Sequence, residues 1–225
     1  MGKKILGVDE AGRGAVVGSM VIGAAVVDEE DEEKLKKMGV KDSKKLTRER
    51  REELEKKIKD LAYDFSLEKI TAQQIDGLRK IKSLNRIESE SMARLINELK
   101  PDVAIIDATE VKTDKIEREL RAQLDEGIKN EIELIAENKA DDNYPVVSAA
   151  SILAKVTRDN SVSSLEEEME EVIGNGYPSD QRTKDFLKRI LKKNGTFPHC
   201  VRKSWITAQR LLGEEKQDDL SNFCN

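Results

Sequence analysis

Short apolar runs alternate with charge-rich segments along the first two thirds of the chain. Continuous apolar runs of this length are typical of buried strands. They predict strands over residues 5–8, 21–27 and 103–106, and residues 63–70 and 132–135 are further strand candidates. Because strands mixed with helices indicate a mixed sheet, we predict an α/β fold in which helices flank one sheet.

Apolar residues at helical spacing fill the segments between these runs. They predict helices over residues 47–61, 83–99, 116–124, 183–193 and 204–212, and one that begins at Pro145. Thr71 and Gln74 have the spacing of a capping box and predict a further short helix. The stretch Val146–Val156 is so small and apolar that we expect its helix to be buried against the sheet.

A loop that contains glycine and proline begins at Gly174, and the character of the chain changes there. We predict a main domain over residues 1–173, a C-terminal helical appendage over residues 174–212 and a flexible polar tail over residues 213–225. A chain of 225 residues is long enough for this arrangement and for a sizeable core.

The composition excludes several kinds of functional site. Lysine and arginine number 40 against 45 acidic residues, so the formal charge is −5, which argues mildly against an electrostatic nucleic-acid binder. One histidine and two cysteines cannot supply a multi-histidine or four-thiolate zinc site, and they do not indicate a disulfide scaffold. No secretory signal or membrane span is visible. We therefore expect a monomer in the reducing cytoplasm, with any metal held by carboxylates.

Acidic residues fall where the predicted strands end. Asp9 and Glu10 follow the first apolar run, Asp107 follows another, and Asp141 comes soon after a third. Acids at neighbouring strand ends can converge, and clustered carboxylates repel unless a cation joins them. Oxygen ligands favour Mg²⁺ or Mn²⁺, and two such ions about 4 Å apart hydrolyse phosphodiesters in many nucleases. For any one of these acids, spacing alone favours a solvated turn residue.

Gly12-Arg13-Gly14 comes directly after the first acids. The glycines let a backbone approach a ligand closely, and the arginine can bind a phosphate. The alternative is an ordinary turn. The next glycine, Gly18, does not have the spacing of a dinucleotide site, so we exclude that function.

Six motifs in order resemble the ribonuclease HII family, archaeal type, within the ribonuclease H-like superfamily. The resemblance covers residues 5 to about 212. The motifs are Gly7–Gly14, Asp42–Leu46, Ile105–Asp107, Lys139–Asp141 with the following Ala149–Val156, Gly176–Asp180 and Val201–Trp205.

The resemblance implies a ribonuclease H-like fold and an endoribonuclease of DNA replication and repair. Its substrates would be RNA–DNA hybrids and duplex DNA that contains ribonucleotides. It would cleave them by a two-metal mechanism that leaves 3′-hydroxyl and 5′-phosphate ends. The resemblance assigns catalysis and metal binding to the four acids, Asp9, Glu10, Asp107 and Asp141, and it selects Asp141 over the adjacent Asp142.

The resemblance also implies substrate-binding residues. Gly12, Arg13 and Gly14 would sense the ribose 2′-hydroxyl, and Tyr177 would pack on the adjoining sugar. Phosphate-binding positions would be Lys44, Arg51 and Lys155. The C-terminal helical part, residues 174–212, would complete the substrate groove. Without the resemblance, Tyr177 would be read as a half-buried loop aromatic, Lys44 as a solvated residue and Trp205 as core. Ala15, Ser19 and Gln181 stand where the family often has proline, which puts the rigidity of these loops in doubt.

The tail fits Q-x-x-L-x-x-F through Gln217, Leu220 and Phe223. The pattern resembles the peptide by which replication enzymes bind a sliding clamp, with the leucine and phenylalanine as anchors. The usual second aromatic residue is missing, because Cys224 follows Phe223. The alternative is a polar tail with two apolar residues placed by chance.

Two other functions compete with the ribonuclease. A junction resolvase of the same fold class would share the acids, but Gly12–Gly14 and Tyr177 argue against it. A clamp-tethered binding module without catalysis would not need four acids. Cleavage of DNA that carries one ribonucleotide, beside an all-DNA control, separates the three.

Overall fold

The computed structural model describes residues 2–41, 46–108 and 113–223, and side chains as far as residue 214. Its five strands are Lys4–Ala11 (β1), Met20–Asp28 (β2), Asp64–Ile70 (β3), Val103–Asp107 (β4) and Glu133–Glu137 (β5). All five overlap the strands predicted from the sequence. They form one mixed sheet in the order β3-β2-β1-β4-β5. In it β1 is antiparallel to β2 and parallel to β4, and β4 is parallel to β5.

Helices make up most of the remaining described chain. They are Glu32–Met38 (α1), Arg48–Leu61 (α2), Ala72–Leu78 (α3), Leu84–Leu99 (α4), Thr113–Arg121 (α5), Glu126–Lys129 (α6), Ala140–Asn143 (α7), Pro145–Met169 (α8), Gln181–Asn194 (α9) and Ile206–Phe223 (α10), with a short 3₁₀ turn at Glu29–Asp31. The predicted capping box of Thr71 and Gln74 is present at the start of α3. Helix α10 extends beyond Leu212, where the sequence predicts that it ends. None of the described helices is both long and apolar enough to cross a membrane.

The chain divides into two compact units. Unit 1 comprises Met1–Ala11, Val21–Lys69 and Asn85–Thr157, and unit 2 comprises Gly12–Met20, Ile70–Leu84 and Arg158–Asn225. The predicted boundary at residue 174 falls inside unit 2, which also takes in two earlier segments. The predicted division into three parts therefore stays a prediction.

In unit 1, α8 packs directly on the sheet. A Cβ atom placed on Gly7 of β1 would lie 2.4 Å from the carbonyl carbon of Val146 in α8. Only glycine leaves room for this backbone approach. The neighbouring α8 residues from Val147 to Leu153 that face the core are fully buried alanine, valine, isoleucine and leucine. The expectation that this small apolar helix is buried is thus confirmed, and its close packing fixes the helix against β1.

Unit 2 has a core of its own. Phe186, Leu187 and Ile190 of α9 are buried together with Val17 and Phe197. Asp180 caps α9, because its side chain accepts a hydrogen bond from the backbone of Arg182. Within the same unit, Val17 forms a β-bridge with Val201. The segment after β1 is therefore held by residues from the far end of the chain.

Candidate active site

Two of the predicted acids are placed by strand register. The last registered pair of the parallel strands β1 and β4 is Val8 with Ile106. Asp9 and Asp107 are the next residues on each strand. Since parallel strands end at the same edge of the sheet, both carboxylates emerge there side by side.

Asp141 reaches the same place from a short helix. It lies in α7 and not at a strand end, because Lys139 before it takes a left-handed conformation, with φ 59°, that turns the chain. The backbone amide of Ala140 donates to Asp107 Oδ1 over 2.9 Å, and Ser148 Oγ donates to the carbonyl of Asp141. The first bond fixes the start of α7 against β4, and the second joins α7 to α8.

The carboxylates of Asp9, Asp107 and Asp141 converge. Each offers an oxygen that lies within 4.8 Å of the others. Asp9 and Asp141 are each only 4% exposed, and Asp107 is half-buried. Glu10 is not a member of this group in the described structure. It follows Asp9 on β1, where successive side chains point to opposite faces of the sheet.

Some features around Asp9 destabilise its negative charge, and others stabilise it. Burial raises the pKa of Asp9, and the nearby Asp141 raises it further. Three groups act against this rise. Lys155 Nζ lies 4.0 Å from Asp9 Oδ2, Ser151 donates a hydrogen bond, and the backbone amide of Glu10 donates to Asp9 Oδ1 over 2.7 Å.

Three carboxylates that lie this close together, largely out of contact with water, form a suitable site for a divalent cation. One lysine does not balance three acids, and hard oxygen ligands are those that Mg²⁺ and Mn²⁺ prefer. The chemistry of the donor set therefore agrees with the metal site predicted from the sequence.

The glycine element and the tyrosine meet in unit 2. Gly12 has φ +81°, and a Cβ on it would lie 2.7 Å from the carbonyl oxygen of Ser19, so only glycine fits. Its backbone amide donates to the hydroxyl of Tyr177 over 3.1 Å. A Cβ on Gly14 would be in van der Waals contact with the Tyr177 ring, at 3.9 Å. The half-buried Tyr177 is thus a direct neighbour of the glycine element.

Two buried arginines support this arrangement. Arg202 is fully buried and donates to the carbonyl oxygens of Gly12 (2.7 Å), Arg13 (2.9 Å) and Gly18 (3.0 Å). Burial and the neighbouring Arg158 lower the pKa of Arg202 to about 10, which leaves it charged at neutral pH. Arg158, 4% exposed, lies over the ring of Tyr177, with its guanidinium carbon 4.8 Å from the ring centroid.

The structure describes only some of the other predicted site residues. Lys155 lies beside Asp9, as described above. Arg51 of α2 donates from Nη1 to the carbonyl of Leu46 over 2.6 Å. Lys44 lies outside the described residues. The backbone of Gln217, Leu220 and Phe223 is part of α10, and their side chains lie outside the description.

Sequence reasoning missed three residues of this region. Ser151 stands four residues before Lys155, a helical spacing that could have suggested it as a partner of Asp9. Arg158 is three residues after Lys155 on the same helix. Arg202 lies within the Val201–Trp205 motif, but the sequence predicts no role for it, since an arginine is rarely buried.

Comparison with known proteins assigns the family. The family model for ribonuclease HII matches residues 6–208. A ribonuclease HII of Thermococcus onnurineus is 47% identical over 215 residues, which cover 95% of this chain and 91% of the relative.

Solved structures agree with this assignment. The ribonuclease H2 of Pyrococcus horikoshii superposes with a TM-score of 0.87 at 41% identity, over 95% of this chain and 99% of that one. A ribonuclease HII from Archaeoglobus fulgidus, solved in a complex with PCNA, gives a TM-score of 0.80 at 39% identity, over 89% and 94%. The resolvase and the non-catalytic module are therefore set aside, and the fold is the ribonuclease H-like one predicted. The chain belongs to the ribonuclease HII family.

Proposed function

We propose that Asp9, Glu10, Asp107 and Asp141 are the catalytic acids of this enzyme and hold two divalent ions, Mg²⁺ or Mn²⁺. As a ribonuclease HII, the chain is a metal-dependent endonuclease that hydrolyses RNA in RNA–DNA hybrids. The observation that carries the proposal is the convergence of the carboxylates of Asp9, Asp107 and Asp141 within 4.8 Å. Glu10 is included by the resemblance of its motif to that of the family, since it is not a member of this group in the described structure.

Residues of the chain hold the carboxylates of this site in position before the ions bind. When bound, the ions supply an activated water and stabilise the leaving oxygen, so that 3′-hydroxyl and 5′-phosphate ends result. Lys155 and Ser151 hold Asp9 in one orientation. Because Lys155 is the cation nearest to Asp9, we also assign it a part in holding the substrate phosphate. Arg51 and Lys44 remain proposed phosphate-binding residues by resemblance.

Recognition of the ribonucleotide is assigned to Gly12, Arg13 and Gly14 together with Tyr177. The 2′-hydroxyl is the group that distinguishes RNA from DNA at a single nucleotide. A backbone without side chains at Gly12 and Gly14 can approach that hydroxyl closely. The Gly12 amide donates to the Tyr177 hydroxyl, and the Tyr177 ring lies beside Gly14 and under the guanidinium of Arg158. These contacts support a joint role of the glycine element and Tyr177 in packing against the sugar.

Cleavage of duplex DNA that carries one ribonucleotide tests the proposal. We expect the wild-type protein with Mg²⁺ or Mn²⁺ to cut this duplex and to leave the all-DNA duplex intact. Asp141→Asn should abolish cleavage, whereas Asp142→Asn, its neighbour in α7, should retain it. Equal activity of both variants would overturn the assignment of Asp141.

A second proposal concerns the tail. We assign Gln217, Leu220 and Phe223 to binding of a sliding clamp, because the pattern fits and the A. fulgidus relative was solved in a complex with PCNA. Replacing Leu220 and Phe223 by alanine should abolish clamp binding in a pull-down with the purified clamp and leave cleavage of a short duplex unchanged. Asn222→Ala is the control. Unchanged clamp affinity of the double variant would contradict this proposal.

A further inference from the structure

None of the roles assigned above involves Thr183, although its side chain is fully buried in the first turn of α9. Its hydroxyl donates to the carbonyl oxygen of Ile173 over 2.9 Å and accepts from the backbone amide of Gly176 over 3.0 Å. One hydroxyl group therefore joins the two ends of the loop 173–176, directly before Tyr177. Because the hydroxyl is buried, solvent water does not compensate for these bonds if it is lost.

The peptide that Thr183 holds also contacts the segment that follows the glycine element. The carbonyl oxygen of Gly176 accepts from the backbone amides of Val16 and Val17, at 2.8 and 3.1 Å. Gly176 takes a left-handed conformation with φ +78°, and a Cβ on it would lie 2.6 Å from the carbonyl oxygen of Val17. Only glycine allows the two segments to pack at this distance. Gly176 is thus the point at which the tyrosine loop is joined to the backbone near Gly12–Gly14.

Tyr177 is held relative to the glycine element at both of its ends. Its hydroxyl accepts from the Gly12 amide over 3.1 Å. Its backbone follows Gly176, which Val16 and Val17 hold from one side and Thr183 holds from the other. A shift of the backbone end would change the position of the ring even if the hydroxyl end stayed bound. The Thr183 hydroxyl restrains that backbone end.

We propose that Thr183 is a positioning residue for recognition of the ribonucleotide. Its hydroxyl fixes the Gly176 peptide, and that peptide sets the place of the Tyr177 ring beside Gly12–Gly14. The inference rests on the proposed role of Tyr177 and Gly12–Gly14 and names a residue on which their geometry depends. An embedded ribonucleotide presents one 2′-hydroxyl, whereas a continuous hybrid presents one at every nucleotide of its RNA strand. Cleavage at the embedded ribonucleotide should therefore depend more strongly on this geometry.

The ratio of two kcat/KM values tests the proposal. The first is measured on duplex DNA with one ribonucleotide, and the second on a continuous RNA–DNA hybrid of the same length and sequence. Both values scale with the amount of folded enzyme, so a variant that is only less stable keeps the wild-type ratio. Thr183→Val removes the hydroxyl but keeps the shape of the side chain, and we expect it to lower the ratio about tenfold. Thr183→Ser keeps the hydroxyl and should bring the ratio to within about twofold of the wild type.

Two further variants complete the test. Thr183→Ala lacks the hydroxyl without adding a second methyl group and should also lower the ratio. Thr71→Val is the matched control, because it removes a hydroxyl that accepts from the Gln74 amide at the start of α3, over 3.2 Å. It should lower the melting temperature and leave the ratio at the wild-type value. Thr183→Val and Thr183→Ala with the same ratio as this control would overturn the positioning role. Failure of the proposed function has a different signature, namely that Tyr177→Ala leaves the ratio unchanged.

Discussion

Arg202 donates from Nη2 to the carbonyl oxygen of Gly12 over 2.7 Å, although the two residues are 190 positions apart in the sequence. The same guanidinium donates to the carbonyls of Arg13 and Gly18. Within the described structure no carboxylate lies close enough to form an ion pair with it. Carbonyl dipoles, the Trp205 ring and the charge of Asp76 therefore act against the cost of burying its charge.

Arg202→Lys should lower the free energy of unfolding. Lysine keeps the charge but cannot reproduce a rigid fork that reaches three carbonyls. A buried group left without its partner costs about 1–3 kcal/mol, so we expect a loss of at least about 2 kcal/mol in urea denaturation. Arg210→Lys on the exposed part of α10 should stay within about 0.5 kcal/mol of the wild type. Equal stability of the two variants would contradict the role of the fork.

Asp9→Asn should separate metal binding from folding. Burial and Asp141 disfavour the charge of Asp9, so a neutral side chain of the same shape removes that cost in the absence of metal. With a chelator we expect the melting temperature of the variant to equal or exceed that of the wild type. With saturating Mn²⁺ the wild type should gain stability and the variant should gain less. The same metal-induced rise in both proteins would remove Asp9 from the ligand set.

Gly7→Ala should destabilise the protein more than strand preferences suggest. The new methyl group would overlap the Val146 backbone, and we expect a loss of about 1–3 kcal/mol. Gly77→Ala in α3 is the matched control, because nothing beyond its own stretch of helix lies within 4 Å of the added methyl group. There alanine should stabilise the protein by about 0.4–1 kcal/mol. Thermal unfolding of both variants measures the difference, and a change of the same sign in both would be evidence against close packing of α8.

Cys200 should be an unreactive thiol in the folded protein. It is 3% exposed, and burial raises its pKa to about 11. At pH 8 only about one thiol in a thousand would then be the reactive thiolate. In a Cys224→Ser variant, which leaves Cys200 as the one cysteine, a thiol-specific reagent should react slowly in buffer and rapidly in denaturant. Rapid stoichiometric reaction of the folded protein would contradict its burial.

The sequence pattern is sufficient to predict most strands of the sheet. β2 and β4 are continuous apolar runs, and such runs mark buried strands almost regardless of context. Asp9 and Asp107 could be predicted as neighbours because each follows a run of this kind. Asp141 differs. Its place depends on the left-handed turn at Lys139, and a lysine does not indicate that conformation in advance.

The supporting arginines could not be predicted for another reason. Burial of Arg202 depends on three carbonyl oxygens, and two of them belong to Gly12 and Arg13, near the other end of the chain. Local periodicity contains no information about such distant partners. The fork and the carbonyls become recognisable as a unit only when both segments are seen together.

The contact between Gly12 and Arg202 also constrains how the protein is made. Residues 12–20 leave the ribosome early, but their hydrogen-bond partners at Gly176, Cys200 and Arg202 are synthesised more than 150 residues later. Contacts of such long sequence separation form late and slow the folding of a domain. We therefore expect a nascent chain that ends before residue 200 to lack the native conformation of Gly12–Gly14, whatever the state of its sheet.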